Sequence, residues 1–175
     1  LRESLRDLAI RDPLTGLFNR RHMEDSVARE FAQANRRNYS VGVVMLDIDH
    51  FKKFNDRFGH QAADDVLVKF SRVLEAGIRE TDIACRYGGE EFVVILTDCS
   101  PELAAEKAEA FRRAVAANGT GVTVSIGVAT YPMDGSQWAA VLRKADARLY
   151  AAKAAGRDVA GTMSTLDDPE SEASS

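Results

Sequence analysis

The chain contains no apolar run approaching the roughly 20 residues that a membrane span needs, and no signal-peptide pattern stands at its start. A cytoplasmic setting is therefore the expectation for this segment. Two cysteines, Cys85 and Cys99, are too few for a disulfide framework and have no metal-binding neighbours, so they read as reduced structural thiols. Basic charge is not in excess. Lys and Arg number 23 against 27 Asp and Glu, and the net charge of −4 argues against a general nucleic-acid binder, which carries a basic face. An anionic small substrate stays open, because a few local lysines or a metal ion decide that. The 175 residues suffice for one domain that buries roughly 70% of its unfolded surface.

What is present is more specific. Gly88-Gly89-Glu90-Glu91-Phe92 lies between two strand-like runs, Ile83 to Tyr87 before it and Phe92 to Leu96 after it. Two strands around a pair of glycines read as a β-hairpin, with glycine supplying the positive φ of a tight turn. Two adjacent carboxylates at its tip repel one another unless a cation lies between them. Hard divalent cations take carboxylate oxygens and bind phosphates as well, and glycines let a large ligand come close to the backbone. A metal-assisted phosphate site and a plain solvated hairpin tip both fit this motif alone. A second motif weighs toward the former. Val41 to Leu46 is an apolar, β-branched run that ends in Asp47-Ile48-Asp49. Carboxylates at the end of a buried strand are a common way to hold Mg²⁺ beside a nucleotide phosphate.

The remaining pattern alternates helices and strands. Asn19 is a candidate N-cap for a helix ending near Asn35, with Met23, Val27 and Phe31 on its apolar face. A strand is expected over 41–47, a short helix within 51–59, and a longer helix over 62–78 with Val66, Leu67, Phe70, Val73 and Leu74 inward. After the hairpin, Pro101 opens a helix that Gly119 and Gly121 terminate. A strand over 122–130 and a helix over 137–155, stopped by Gly156, complete the domain. The order strand, helix, strand, strand, helix, strand is that of an α+β, ferredoxin-like sheet flanked by helices. Leu1, Leu5 and Leu8 have helical spacing, either as the end of a linker coiled coil in residues 1–11 or as a short helix packed on the domain. Because the sequence starts at leucine, an excised piece with an upstream sensor domain is expected. Residues 161–175, rich in Ser, Thr, Asp and Glu, read as a disordered tail.

These segments together resemble a GGDEF domain, the diguanylate cyclase family, in a Gly-Gly-Glu-Glu-Phe spelling. The likeness includes Asp12-Pro13-Leu14-Thr15-Gly16, Asp47 to Asp56, Phe58-Gly59-His60, Ser125 to Ala129, and Leu149-Tyr150 through Gly156-Arg157, so it covers residues 12–158 in the family's order. It implies a palm-type nucleotide cyclase fold over 12–160. The implied reaction condenses two GTP into cyclic di-GMP and two pyrophosphates in a homodimer, with Mg²⁺ or Mn²⁺. It also implies that Asp47, the Ile48 carbonyl, Glu90 and Glu91 hold the metal, and that Glu90 helps remove the attacking hydroxyl's proton. The division of work between the two glutamates stays open, and Asp49 is as readily a helix cap or a hydrogen-bonding partner of the hairpin. Substrate would be bound by Phe51 and Lys52 through their backbone N–H groups, by Asn55 and Asp64 at guanine, by the walls of Gly88 and Gly89, and by Lys153 and Arg157 at phosphate. Lys153 and Arg157 are four apart, as on one helical face.

Arg79-Glu80-Thr81-Asp82 stands where the family often carries an inhibitory Arg-x-x-Asp site for cyclic di-GMP. Its alternative is a surface ion pair, and Arg112 or Arg113 is a candidate second arginine. Two positions depart from the family pattern. Ala63 replaces a glycine ahead of Asp64, and Asp158 replaces an asparagine beside Arg157. Neither nucleic acid nor membrane is an expected partner of this segment. The rival to an active cyclase is a silent domain that acts as a cyclic di-GMP or GTP receptor, and its mark, a corrupted signature, is missing here.

Overall fold

A computed structural model describes residues 2–162. In chain order the elements are α1 (Arg2–Ile10), β1 (Phe18–Asn19), α2 (Arg20–Arg37), β2 (Val41–Ile48), α3 (Phe51–Phe58), α4 (His60–Ala76), β3 (Ile83–Arg86), β4 (Glu91–Leu96), α5 (Pro101–Ala116), β5 (Val124–Tyr131), α6 (Trp138–Ala154) and β6 (Ala160–Gly161). One mixed sheet has the order β1-β3-β4-β2-β5-β6. Its four central strands are antiparallel neighbours in the ferredoxin-like arrangement, and β1 and β6 add parallel at the two edges.

The helices begin and end where local chemistry directs. Asn19 caps α2 by accepting the His22 N–H at 2.9 Å, and Ser100 caps α5 by accepting the Leu103 N–H at 3.1 Å, with Pro101 in the first turn. The sequence did not mark β1 and β6. Each is two residues long and has no alternation to read. Residues 163–175 lie outside the described residues, as does Leu1 of the linker pattern. Leu5 and Leu8 on α1 are exposed at 66% and 73%.

Two apolar layers cover the sheet. Val44, Leu46 and Ile48 of β2 face the layer of α4 and α5, whereas Val41, Val43 and Met45 face that of α2 and α6. This is why β2 reads as a continuous apolar run. The alternation carries on to Asp47, which therefore points toward α6. Helix α6 lies unusually close to the sheet. A Cβ on Gly127 of β5 would come within 2.0 Å of the Ala145 carbonyl oxygen and 2.4 Å of the Leu149 nitrogen, so only glycine permits this approach. Beyond β6, the edge of β5 is closed by a buried ion pair that the sequence did not reveal. Arg148 donates to the Val128 carbonyl at 2.8 Å and to Asp134 at 2.9 and 3.0 Å, while Asp134 accepts the Thr130 N–H at 2.8 Å. Such side-chain blocking protects a strand edge from unwanted pairing.

Candidate active site

The register between β2 and β4 places Asp47 directly opposite Glu91. Directly paired residues share a face, so two carboxylates that are 44 positions apart in sequence (47 and 91) meet at one end of the sheet. Glu90 sits in the turn just before β4, where its carbonyl accepts the Ile48 N–H at 3.3 Å. Asp47 is only 5% exposed. Burial pushes its carboxyl above the ordinary range, and a hydrogen bond from Lys153 opposes that. Burial likewise raises Glu90, reinforced by the charges of Asp47 and Glu91 and opposed by that of Lys153. The Lys153 ammonium donates to Asp47 Oδ2 at 2.7 Å.

The hairpin turns without left-handed glycines. Neither Gly88 nor Gly89 adopts a positive φ, so the expectation of a φ-driven glycine requirement is corrected. The loop of four residues, 87–90, closes instead through the Glu91 carbonyl, which accepts the Tyr87 N–H at 2.8 Å and the Gly88 N–H at 3.1 Å. Space is the better reason for these glycines. A Cβ on Gly88 would lie 3.2 Å from a carboxylate oxygen of Glu91, and one on Gly89 would meet nothing within 4 Å, which leaves that backbone open to a ligand. Arg86 braces the turn. Its guanidinium donates to the Gly89 carbonyl at 2.9 and 3.2 Å and to Asp12 at 3.3 Å. Asp12 in turn accepts the Thr15 N–H and hydroxyl, each at 2.8 Å. The sequence placed Asp12 and Arg86 74 residues apart, and nothing in their neighbours marked the contact.

Asp49 is a structural residue, though neither a helix cap nor a hairpin partner. It accepts the Thr123 hydroxyl at 2.7 Å, the Ser125 hydroxyl at 2.6 Å and the Asp158 N–H at 3.0 Å, and so ties the start of β5 and the segment after α6 to the end of β2. His50 follows in left-handed conformation at φ 54, and no side chain caps α3. The N–H groups of Phe51 and Lys52 thus lie in an uncapped first turn, where helix donors have no intrahelical acceptor. Asn55, on α3, has a buried Oδ1 without a hydrogen-bond partner. Asp64 is exposed in the early turns of α4, which packs against α3.

Several sequence expectations change. Arg157 follows α6 rather than riding on it. Its φ is +66, and its N–H donates to the Ala152 carbonyl at 3.1 Å, so helical spacing does not relate it to Lys153. Its charge still acts on Asp47. Ala63 is a buried residue within α4 with ordinary φ, so its replacement of glycine carries no backbone strain. The Asp158 carboxylate pairs with Arg112 at 3.0 Å rather than opposing Arg157, and Arg112 is held as well by Glu109. Arg79 and Asp82 lie in the turn between α4 and β3. Asp82 is not half of a surface pair, because its side chain is wholly buried while that of Arg79 is 50% exposed. It accepts the Arg79 N–H at 2.9 Å and the Thr97 N–H at 3.1 Å besides the guanidinium, which itself reaches the Thr97 carbonyl.

No three His, Cys, Asp or Glu side chains form a ready-made metal cage among the described residues. Mg²⁺ does not require one, since it usually takes one or two carboxylates and completes its shell with water and substrate phosphates. Asp47, Glu90 and Glu91 are all hard oxygen donors at one end of the sheet, which fits that pattern.

A mixed sheet flanked by helices, with acidic residues gathered at the ends of its central strands, has the palm-like nucleotide cyclase fold. Comparison with known proteins narrows the class. The family model described as "Diguanylate cyclase, GGDEF domain" matches residues 9–159. The chain is 42% identical over 161 residues to the response regulator PleD of Caulobacter vibrioides, a match covering 87% of this chain and 36% of the relative. It is 40% identical over 164 residues to the diguanylate cyclase DgcP of Pseudomonas aeruginosa, covering 89% of this chain and 24% of the relative. The coiled coil and GGDEF domain of DgcB from Caulobacter crescentus, solved in complex with cyclic di-GMP, superposes with a TM-score of 0.83 at 33% identity, covering 91% of this chain and 88% of that one. The chain belongs to the GGDEF family. It spans less than half the length of the curated relatives it matches.

Asp47 offers a direct physical check. A carboxyl whose folded pKa is raised favours the folded state while protonated, and that contribution is lost as pH rises through the folded value. Asp47→Asn is therefore expected to melt no lower than the parent at pH 7. The two should converge in acid, below the ordinary aspartate pKa of about 3.9. Thermal melts across that range check this, and a clearly lower midpoint for the Asn variant at neutral pH contradicts it.

Proposed function

We propose that this domain is a diguanylate cyclase, which condenses two GTP molecules into cyclic di-GMP with release of two pyrophosphates. The observation that carries this reading is the buried Asp47 opposite Glu91, with Glu90 and a lysine ammonium at the same place. Asp47, the Ile48 carbonyl, Glu90 and Glu91 hold Mg²⁺ or Mn²⁺, which when bound neutralises charge developing on the phosphate under attack. Glu90, held at raised pKa by burial and by its acidic neighbours, is suited to accept a proton from a 3′-hydroxyl. The open first turn of α3 offers the Phe51 and Lys52 N–H groups to phosphate. Lys153 and Arg157 add positive charge from the end of α6, and the bare backbone of Gly88 and Gly89 admits the nucleotide.

Guanine is read by acceptors. The unpartnered Asn55 Oδ1 and the Asp64 carboxylate both require donors, which guanine supplies side by side as N1–H and N2–H₂, whereas adenine has an acceptor at N1, no amino group at C2 and its one amino donor at N6. One domain holds one GTP, yet the product contains two equivalent linkages, so two domains meet around a two-fold axis. The exposed Leu5 and Leu8 of α1 suit a second copy of the same helix. Upstream of it, a sensor domain sets how often the two halves meet. No helix among the described residues is long and apolar enough to cross a membrane. A silent receptor is disfavoured, because both glycines and both glutamates of the signature are in place.

Arg79 and Asp82 form the inhibitory product site with unequal tasks. Asp82 organises the turn, and the half-exposed Arg79 presents its guanidinium to guanine O6 and N7.

Incubation with GTP and Mg²⁺, followed by chromatography, is expected to give cyclic di-GMP and twice as much pyrophosphate. ATP should be used at least about a hundredfold less efficiently, since adenine leaves the buried acceptor unpaired. Comparable kcat/KM for the two nucleotides contradicts the guanine assignment. Arg79→Ala is expected to weaken cyclic di-GMP binding about tenfold or more in calorimetry, at an unchanged initial rate. Affinity equal to that of the parent removes the inhibitory site.

A further inference from the structure

Among the described residues, Lys153 is the one hydrogen-bond donor to the Asp47 carboxylate, at 2.7 Å. The contrast with Asp49, two residues on, is instructive. Asp49 is equally buried but is satisfied by two hydroxyls and a backbone N–H, all neutral groups that stay in place whatever binds nearby. Asp47 has no such set. Its one hydrogen bond comes from a flexible side chain whose ammonium also acts on Glu90, with the more distant charge of Arg157 adding to it. Lys153 belongs to the last turn of α6 and is about one-third exposed, so its stem has room to swing. An ammonium bonded to the Asp47 carboxylate and close enough for its charge to act on Glu90 occupies the place of a cation.

We propose that Lys153 is an internal stand-in for the metal ion, so that the domain accepts a divalent cation only when a triphosphate draws the lysine away. The inference rests on the cyclase reading above and deepens it. In the nucleotide-free domain a divalent cation at Asp47 must displace the ammonium or share the carboxylate with a like charge, and either weakens binding. A triphosphate changes both sides of that balance. It offers Lys153 another anionic partner and offers the metal more oxygens. Metal and nucleotide thereby raise each other's affinity by the same factor, a reciprocity that linkage requires. The device keeps the buried carboxylate neutralised between turnovers and reserves the metal for the loaded site.

The test is Mn²⁺ binding followed by electron paramagnetic resonance, which needs no turnover. Parent, Lys153→Gln and Lys153→Arg are titrated with Mn²⁺ alone, then with a GTP analogue bridged by methylene between the α- and β-phosphates. The parent is expected to bind free Mn²⁺ weakly and to gain at least tenfold in affinity with the analogue. Lys153→Gln should bind Mn²⁺ alone about tenfold more tightly than the parent and gain much less from the analogue. Lys153→Arg, which keeps the cation, should behave like the parent. Circular dichroism confirms that each variant is folded, and Lys153→Met, which removes the charge and keeps an unbranched stem, takes the place of the Gln variant should that one not fold. If Lys153→Gln binds Mn²⁺ no better than the parent, or the parent binds it equally with and without the analogue, the proposal is wrong although the cyclase reading stands. If no protein binds Mn²⁺ even with the analogue, both fall.

Discussion

Asp47 ends a strand that is covered on both faces, and a carboxylate in that position has to be met by positive charge. Removing an ionised group from water costs several kcal/mol unless a partner compensates. Much of the local architecture supplies that compensation. The register of β2 on β4 brings Glu91 opposite Asp47, which increases the negative charge, and Lys153 then comes from α6 to offset it. On the proposed function, the same concentration of negative charge suits the site to cations and to a phosphate chain that carries them.

Helix α6 reaches that position because of a residue far from the chemistry. At Gly127 the helix backbone lies so near β5 that any Cβ would collide with it. From there α6 runs to Lys153, and the segment after it turns through two left-handed residues, Arg157 and Asp158, to dock on Asp49. Close helix packing, the Asp49 hub and the Lys153 contact thus form one chain of constraints. On the other side of the sheet's end, Arg86 fastens the hairpin turn to Asp12, so the turn is held from the N-terminal segment as well.

The central strands, the long helices and their caps were legible from residue patterns. Buried β2 advertised itself by an uninterrupted apolar run, and Asn19 lies where a cap is needed. The edge strands were not legible, because two residues carry no periodicity. Pairings across the fold were hidden for a different reason. Arg148 with Asp134, Arg86 with Asp12 and Arg112 with Asp158 are contacts between distant segments, and any of these charges reads locally as solvated. Of the site, Asp47 and the hairpin carboxylates stood out because their residue types are costly at those positions. Their convergence required the β2–β4 register. Of the two reasons read for the hairpin glycines, open space applies and positive φ does not, and Asp158 beside Arg157 in sequence turns its carboxylate to Arg112.

The central claim is that the carboxylates at the ends of β2 and β4 share one divalent cation with the triphosphate. A crystal of the domain grown with Mn²⁺ and the methylene-bridged GTP analogue tests it through anomalous scattering. The expected result is a strong peak in direct contact with Asp47 and with at least one of Glu90 and Glu91, with Lys153 turned to phosphate. A fully occupied nucleotide with Lys153 still on Asp47 and no metal peak there would contradict it.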